Sequence, residues 1–263
     1  MALELANYKE QARDAIKAFW GNRDAAARKQ AETGNIDAGT RGAVTAGNNL
    51  NGFLALMQSL VRANDLHDAE IHVDKGLVVL PGYFRPNKQW DVIVMRGHRL
   101  VAALEFKSQV GSYGNNYNNR TEEAIGTAHC LWTAFREGAL GDEPRPFLGW
   151  LMVVGDEKGS RSPVRTSEPH FKVFPEWRDA SYIQRYDQLC QRLVKEGLYG
   201  AAALLATPLN SAETGAYEEF SALSGLEYFV TTFAAHIAAE ASRRSPRRAA
   251  SSDPNALKTT HPR

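Results

Sequence analysis

The segment from Trp90 to Lys107, WDVIVMRGHRLVAALEFK, constrains the fold more than any other part of the sequence. Two runs rich in Val, Ile and Leu, at 90–95 and 100–107, flank a polar, glycine-containing break at 96–99. Strand-forming residues on either side of such a break are typical of a β-hairpin. The sequence therefore predicts two antiparallel strands joined by a tight turn.

Three polar residues interrupt these apolar strands. Asp91 opens the first strand, and Glu105 and Lys107 close the second with one residue between them. Because strand side chains alternate between the two faces of a sheet, Glu105 and Lys107 are expected to share a face. Two carboxylates and an ammonium group then converge if Asp91 lies on that face as well.

The hairpin register decides whether Asp91 joins the other two. Directly paired residues share a face, so Asp91 must stand opposite Glu105 or opposite the residue two positions before it. This arrangement requires an odd-length loop or a bulge near Gly97. A regular two-residue turn would instead pair Asp91 with Leu104 and direct its side chain to the other face.

This combination of groups suits the hydrolysis of a phosphodiester. Two carboxylates can hold Mg²⁺, which keeps several waters and takes phosphate oxygens as its remaining ligands. A nearby lysine can orient the attacking water or offset developing negative charge. Taken alone, the short pattern also fits a solvated strand end with a surface ion pair.

The spacing Asp-(x13)-Glu-x-Lys on a hairpin resembles the PD-(D/E)xK nuclease motif, with Trp90 where proline often stands. Longer stretches closely resemble the XhoI-type restriction endonucleases. These stretches are PGYFRPNKQWDV at 81–92, EFKSQVGSYGNNYNNRTEEAIGTAH at 105–129 and PHFKVFPEW at 169–177. The opening MALELA also fits, and the resemblance covers nearly all of 1–210 in order.

The resemblance implies a type II restriction endonuclease that makes Mg²⁺-dependent double-strand cuts at a palindrome, CTCGAG, after the first C to leave a 5′ overhang. It assigns Asp91 and Glu105 as Mg²⁺ ligands, the Phe106 carbonyl as a third, and Lys107 as the group that positions or activates water. A palindrome in double-stranded DNA implies a two-fold symmetric homodimer in which each subunit reads one half-site. A cognate DNA methyltransferase would be the functional partner that protects the host.

The segment 111–120, GSYGNNYNNR, is interpreted as a polar loop that leads into a helix from about Arg120 to Arg136. Asn can pair with adenine and Arg with guanine in the major groove, which makes this segment a candidate for base readout. The DNA-binding candidates are Asn115, Asn116, Asn118, Asn119 and Arg120. A polar turn with an Asn N-cap is the alternative, and the polar loop at 155–170 is a second candidate for base readout.

Two acids follow this segment, and histidines occur elsewhere. Glu122 and Glu123 either supply a second metal site or act as helix-start acids that complement the macrodipole. His67 and His72 lie among acids, a pattern that favours a solvated connection over a metal site.

The order of predicted elements indicates the α/β class. Predicted helices cover 2–30, 49–64, 120–136, 181–198 and 217–242, and predicted strands besides the hairpin cover 69–73, 76–80, 147–154 and 201–207. This order matches the αβββαβ core of a restriction-endonuclease-like fold, with a mixed central sheet and added N-terminal and C-terminal helices. The match requires that one of the segments 69–73 and 76–80 is an addition, or that both form one interrupted strand.

Composition sets the domain expectations. With 263 residues, 43% of them hydrophobic, the chain can form one domain at 1–242 with a nuclease core at about 48–155. The loop at 34–47 is predicted to be a connector, and the basic tail at 243–263 is predicted to be disordered. Cys130 and Cys190 are expected to be core thiols because no disulfide or zinc pattern surrounds them.

Charge and hydropathy limit the functional classes. A formal net charge of +1 argues against binding nucleic acid through bulk charge, so any DNA contact must be local. The sequence has neither a membrane-length apolar run nor a signal peptide, which predicts a cytoplasmic protein without membrane contact. The resemblance to restriction endonucleases implies that its cell is bacterial. A DNA-binding or scaffold protein without catalysis is disfavoured because Asp91, Glu105 and Lys107 are all present. A structure-specific repair or junction-resolving nuclease on the same core remains the main alternative.

Overall fold

The computed structural model describes residues 3–32 and 50–243, with side chains described for 3–28 and 50–243. The helices are α1 Tyr8–Glu32, α2 Asn51–Ala63, α3 Tyr113–Arg136, α4 Lys158–Arg161, α5 Tyr182–Lys195 and α6 Leu226–Ser242. The strands are β1 Glu70–His72, β2 Val79–Pro81, β3 Asn87–Gln89, β4 Val92–Arg96, β5 Arg99–Gln109, β6 Phe147–Asp156 and β7 Ala201–Pro208. The predicted loop at 34–47 lies outside the described residues, as do residues 244–263 of the predicted tail.

A five-stranded sheet in the order β1-β4-β5-β6-β7 forms the centre of the fold. The β1, β4 and β5 strands pair antiparallel, whereas β5, β6 and β7 pair parallel. The sheet is therefore mixed, as predicted, and the order α2, β1, β4, β5, α3, β6 gives the αβββαβ core. The predicted α/β class with added helices at both ends is confirmed.

The predicted strand at 76–80 corresponds to β2, and it is an addition to the αβββαβ core. The sequence alone did not decide whether this strand or the one at 69–73 was the addition. The β1 strand joins the central sheet by pairing with β4, whereas β2 pairs with β3 in a separate two-stranded sheet. No apolar pattern predicts β3, because its three residues, Asn87, Lys88 and Gln89, are all polar. This β2–β3 hairpin leads directly into β4.

Each face of the central sheet buries its own apolar cluster. One cluster includes residues of α1, α2 and α6, such as Phe19, Phe53 and Phe233, and the other includes residues of α3 and α5, such as Leu131 and Tyr186. Because strand side chains alternate between the two faces of a sheet, the side chains of β5 contribute alternately to the two clusters. Its even-numbered residues 102, 104 and 106 belong to the first cluster, whereas Ala103 belongs to the second. Glu105 and Lys107 therefore lie on the face covered by α3.

The predicted start of α3 was wrong. The helix begins at Tyr113, seven residues before the predicted start at Arg120, so the Asn-rich stretch is helical rather than a loop. Tyr113 and Tyr117 are buried and contact Tyr182 of α5 at ring-centroid distances of 5.9 and 6.1 Å. Burial of these two rings favours the helical conformation although Asn and Gly have low helix propensity.

Other element boundaries also differ from the predictions. The last helix begins at Leu226 rather than at 217, and the polar segment 155–170 contains the short helix α4. Cys130 and Cys190 are buried free thiols, which confirms their predicted role in the core. Among the described residues, no helix combines the length and the apolar character needed to cross a membrane.

Candidate active site

A β-bulge places Asp91 on the same face as Glu105. The turn of the β4–β5 hairpin has two residues, but the register shifts beyond it, so that Val94 faces Ala102 and Val101 is the extra residue. Continuing this register by one residue past the start of β4 sets Asp91 opposite Glu105. Of the two arrangements that could bring Asp91 beside Glu105, an odd-length loop or a bulge, the structure has the bulge, and its register shift brings the two carboxylates to one face.

Glu105 lies at the centre of a buried charge cluster. Its side chain is 1% exposed, and its Oε1 atom lies 2.6 Å from Nζ of Lys107 and 2.8 Å from Nζ of Lys88. The other oxygen, Oε2, is buried and has no hydrogen-bond partner. A buried carboxylate oxygen without a donor is unfavourable, so this atom is suited to receive a cation.

Asp91 is held against the adjacent strand by a backbone hydrogen bond. The Phe106 amide donates to Oδ2 of Asp91 at 2.7 Å. The N–H and C=O groups of one strand residue point to the same edge of the strand, so the Phe106 carbonyl also faces the edge where Asp91 lies. Two carboxylates and one backbone carbonyl are therefore available at this position.

Helix α3 contributes a third carboxylate to the cluster. Glu123 contacts Nζ of Lys107 at 3.0 Å and Nη1 of Arg120 at 2.8 Å. It lies in the third turn of α3, so its interpretation as a helix-start acid was wrong. Lys107 is consequently held between two carboxylates, Glu105 from its own strand and Glu123 from the helix above it.

Burial and ion pairing set the protonation of these groups. Burial raises the pKa of Asp91, and this effect outweighs the opposing hydrogen bond from the Phe106 amide. For Lys107, burial alone would lower the pKa, but Glu105 and Glu123 outweigh it and raise the pKa above its usual value. Burial would likewise raise the pKa of Glu123, yet the contacts with Lys107 and Arg120 lower it. Lys107 is thus an ammonium group in the protein without bound metal.

The donor set fits a divalent cation that takes part of its coordination from outside the protein. Within residues 3–32 and 50–243, no three His, Cys, Asp or Glu side chains form a metal-binding group by themselves. Mg²⁺ is commonly bound by one or two carboxylates, with waters and substrate phosphates as the other ligands. Asp91, the unpartnered oxygen of Glu105 and the Phe106 carbonyl match that requirement.

The family model of the restriction endonuclease XhoI matches residues 29–219. The chain belongs to the XhoI restriction endonuclease family. It is therefore a type II site-specific deoxyribonuclease, and family membership points to a divalent metal cofactor. The predicted resemblance is confirmed.

Individual relatives agree with this assignment. The chain is 58% identical over 173 residues to the type II restriction enzyme AbrI of Azospirillum brasilense, covering 65% of this chain and 78% of the relative. It is 51% identical over 200 residues to XhoI of Xanthomonas vasicola, covering 75% and 79%. It is also 40% identical over 211 residues to BstVI of Geobacillus stearothermophilus, covering 78% and 94%. No solved structure matches.

The sequence did not predict the contacts that two charged residues, Lys88 and Glu123, make in this XhoI-family site. Lys88 lies within the stretch 81–92 that resembles the family, but no periodicity there predicts a strand or directs its side chain toward Glu105. Glu123 was considered only as a metal ligand or a helix-start acid. Its spacing from Arg120, three residues along a helix, is a signal that would have linked the two once the helix start was known.

The predicted DNA-binding residues lie on the first two turns of α3. Asn115, Asn118 and Asn119 are exposed. The side-chain amide of Asn116 donates to the Ser112 carbonyl at 3.0 Å, and that of Asn119 donates to the Asn115 carbonyl at 3.4 Å. Helical spacing places Asn119 one turn before Glu123, on the side of the helix that faces the charge cluster. Arg120 is committed to Glu123 in this structure.

The two histidines that the sequence places among acids, His67 and His72, do not converge with this cluster. His67 lies 3.6 Å from Asp65, and His72 lies 3.3 Å from Glu70, each as a separate pair near β1. Exposed Asp65 and Glu70 side chains are consistent with the predicted solvated connection.

Proposed function

We propose that the chain makes Mg²⁺-dependent double-strand cuts at a short palindrome, CTCGAG by its resemblance to XhoI-type enzymes, after the first C to leave a 5′ overhang. Type II restriction enzymes act on double-stranded DNA. The observation that carries the proposal is the bulged hairpin. It aligns Asp91, Glu105 and Lys107 on one face and leaves one buried Glu105 oxygen without a partner.

In this proposal Asp91, Glu105 and the Phe106 carbonyl hold Mg²⁺. The bound ion would polarise the scissile phosphate and lower the pKa of a coordinated water. Lys107 orients the attacking water and offsets the charge that develops on the phosphate. Glu123 keeps the Lys107 ammonium in place through their 3.0 Å contact. A charge centre held in advance does not need to reorganise during the reaction.

The two-fold symmetry of the proposed DNA site implies that the protein acts as a homodimer. A palindromic site is read most simply by a two-fold symmetric homodimer, in which each subunit cuts one strand. Residues 1–242 then form one catalytic domain, with the nuclease core at about 48–155. A cognate DNA methyltransferase would protect host DNA at the same site.

Digestion of a mixed-sequence plasmid tests the function directly. With Mg²⁺ we expect a small set of discrete fragments whose sequenced ends share one palindrome and a 5′ overhang. With excess EDTA, cleavage should stop. Ends without a common sequence, or cleavage that persists in EDTA, would contradict the proposal. Sedimentation of the protein with the mapped duplex should show two chains per site.

The same core could serve a structure-specific nuclease, and a matched substrate pair separates the two activities. A linear duplex that contains the mapped palindrome is compared with a four-way junction that lacks it. A restriction enzyme cuts only the first. Preferential cutting of the junction would establish the repair or junction-resolving alternative instead.

Base readout is proposed for the exposed asparagines of α3, and Asn119 gives the clearest test. We expect Asn119→Ala to weaken binding to the cognate duplex by about 1–3 kcal/mol, the value of one good base contact, with little change on random duplex. Affinities are measured on both duplexes at one fixed salt concentration, because phosphate contacts are strongly salt-dependent.

Asn210→Ala serves as the matched control, since Asn210 is an exposed asparagine in the turn after β7. It should leave both affinities unchanged. Arg120→Ala is less suitable, because loss of its contact with Glu123 would also disturb Lys107. If Asn119→Ala lowers both affinities equally, the start of α3 contacts only the DNA backbone. Another element, such as the 155–170 segment, would then read the bases.

A further inference from the structure

The β2–β3 hairpin brings a second lysine into the active site. Lys88 pairs with Leu80 in the register of this hairpin, and Leu80 is buried. Paired residues share a face, so Lys88 points inward while its neighbours Asn87 and Gln89 are exposed. Its side chain is only 14% exposed, and Nζ lies 5.0 Å from the centroid of the Trp90 ring.

The hairpin that carries Lys88 is fixed to α3 by polar contacts. The amides of Tyr83 and Phe84, in the loop between the two strands, donate to Sγ of Cys130 at 3.2 and 3.4 Å. Arg85 donates to the Thr127 hydroxyl at 3.1 Å. These bonds hold the ammonium group of Lys88 beside Glu105 before any substrate arrives. Such preorganisation is what an electrostatic contribution to catalysis requires.

The two lysines of the cluster are not equivalent. Lys107 contacts two carboxylates, Glu105 and Glu123. For Lys88, Glu105 is the one carboxylate within ion-pair distance among the residues that the structure describes. A metal ion on the unpartnered Oε2 of Glu105 would compete with both lysines for the charge of that carboxylate. Lys107 would keep Glu123 as a second carboxylate partner, whereas Lys88 would keep no other carboxylate within ion-pair distance among the described residues. That condition is unfavourable unless another anion takes its place.

We propose that Lys88 is a second catalytic lysine, which binds a non-bridging oxygen of the scissile phosphate once a metal ion occupies Glu105. The inference rests on the proposed function, because it takes Glu105 as a metal ligand. The reaction remains the addition of water to phosphorus with loss of the 3′ oxygen. Lys88 neither gives nor takes a proton in it and acts by offsetting charge on the phosphate.

Two variants test the role of Lys88 in cleavage. Lys88→Met keeps the apolar stem and removes the charge, whereas Lys88→Arg keeps the charge. We expect Lys88→Met to lower the single-turnover rate at saturating Mg²⁺ about 10²- to 10³-fold, the usual effect of removing one transition-state donor. Lys88→Arg should recover part of this loss. Lys195→Ala, which removes a lysine at the end of α5, should cleave at the parent rate.

A binding measurement separates a phosphate contact from a structural role. Duplexes of the site mapped by plasmid digestion are compared with and without an uncharged methylphosphonate at the scissile position, using Ca²⁺ in place of Mg²⁺. We expect Lys88→Met to bind the ordinary duplex about 10- to 100-fold more weakly, as for a lost charged hydrogen bond, and to bind the methylphosphonate duplex as the parent does. In EDTA this difference should disappear.

The outcomes distinguish the two proposals. If the parent protein does not cleave, the proposed function fails, and the Lys88 inference fails with it. If the parent cleaves and Lys88→Met cleaves equally fast, only the Lys88 inference is overturned. Equal losses of affinity for both duplexes would also overturn it, because a merely structural lysine would not distinguish a charged phosphate from a neutral one.

Discussion

Replacement of Glu105 by Gln is expected to abolish cleavage, with a rate loss of about 10³-fold or more, because several kcal/mol of metal-assisted stabilisation are removed. Gln has the size of Glu but offers a weaker metal ligand and no charge. Specific binding, measured by gel shift in Ca²⁺, should be largely retained, since the proposed base contacts lie on α3. The single-turnover rate on the mapped duplex is the decisive measurement.

Asp91→Asn should reduce cleavage in the same way while preserving local structure, because an amide oxygen can still accept the hydrogen bond from the Phe106 amide. Burial raises the pKa of Asp91, so the charged form is disfavoured in the fold, and its contribution to stability falls as pH rises through that pKa. The metal-free variant should therefore unfold at neutral pH at the same or a higher temperature than the parent.

Glu122→Gln is the matched control for both variants, since Glu122 is an exposed acid on α3 next to the cluster. It should cleave like the parent. If a folded Glu105→Gln or Asp91→Asn protein lost specific binding and cleavage together, or kept cleavage, the assignment of these residues as metal ligands would be wrong.

Lys107→Met is expected to lower the single-turnover rate about 10²- to 10³-fold at saturating Mg²⁺. The ammonium group of Lys107 contacts both Glu105 and Glu123, so its loss removes the charge that is proposed to position water and stabilise the transition state. Specific binding in Ca²⁺ should persist. A rate that recovers fully at higher Mg²⁺ would show that Lys107 only tunes metal affinity.

A double-mutant cycle identifies what Glu123 does. If Glu123 acts only by holding Lys107, then Glu123→Gln should be harmful in the parent but harmless in the Lys107→Met background. Additive losses would instead mean that Glu123 contributes separately, for example as the ligand of a second metal ion. The cycle thereby also tests the alternative role considered for Glu123 from the sequence.

The sequence by itself determined the elements with a clear local period. The strands β6 and β7 and the helices α2 and α5 were predicted within a few residues, because apolar residues at strand or helical spacing must face a core. It also determined that Glu105 and Lys107 share a face, since they lie two residues apart on one strand. Strand alternation further meant that Asp91 could join them only through an odd-length loop or a bulge, but the sequence did not decide between the two or locate an extra residue.

Only the tertiary structure decided the features that depend on distant partners. Val101 is the bulged residue because the register of two strands is set by packing on both faces of the sheet, which no local pattern encodes. The Asn-rich start of α3 is helical because Tyr113 and Tyr117 are buried against α5, and this burial outweighs weak local propensity. Lys88 reaches Glu105 from 17 residues away on a strand of three polar residues, and only the docking of that hairpin on α3 brings the two charges together.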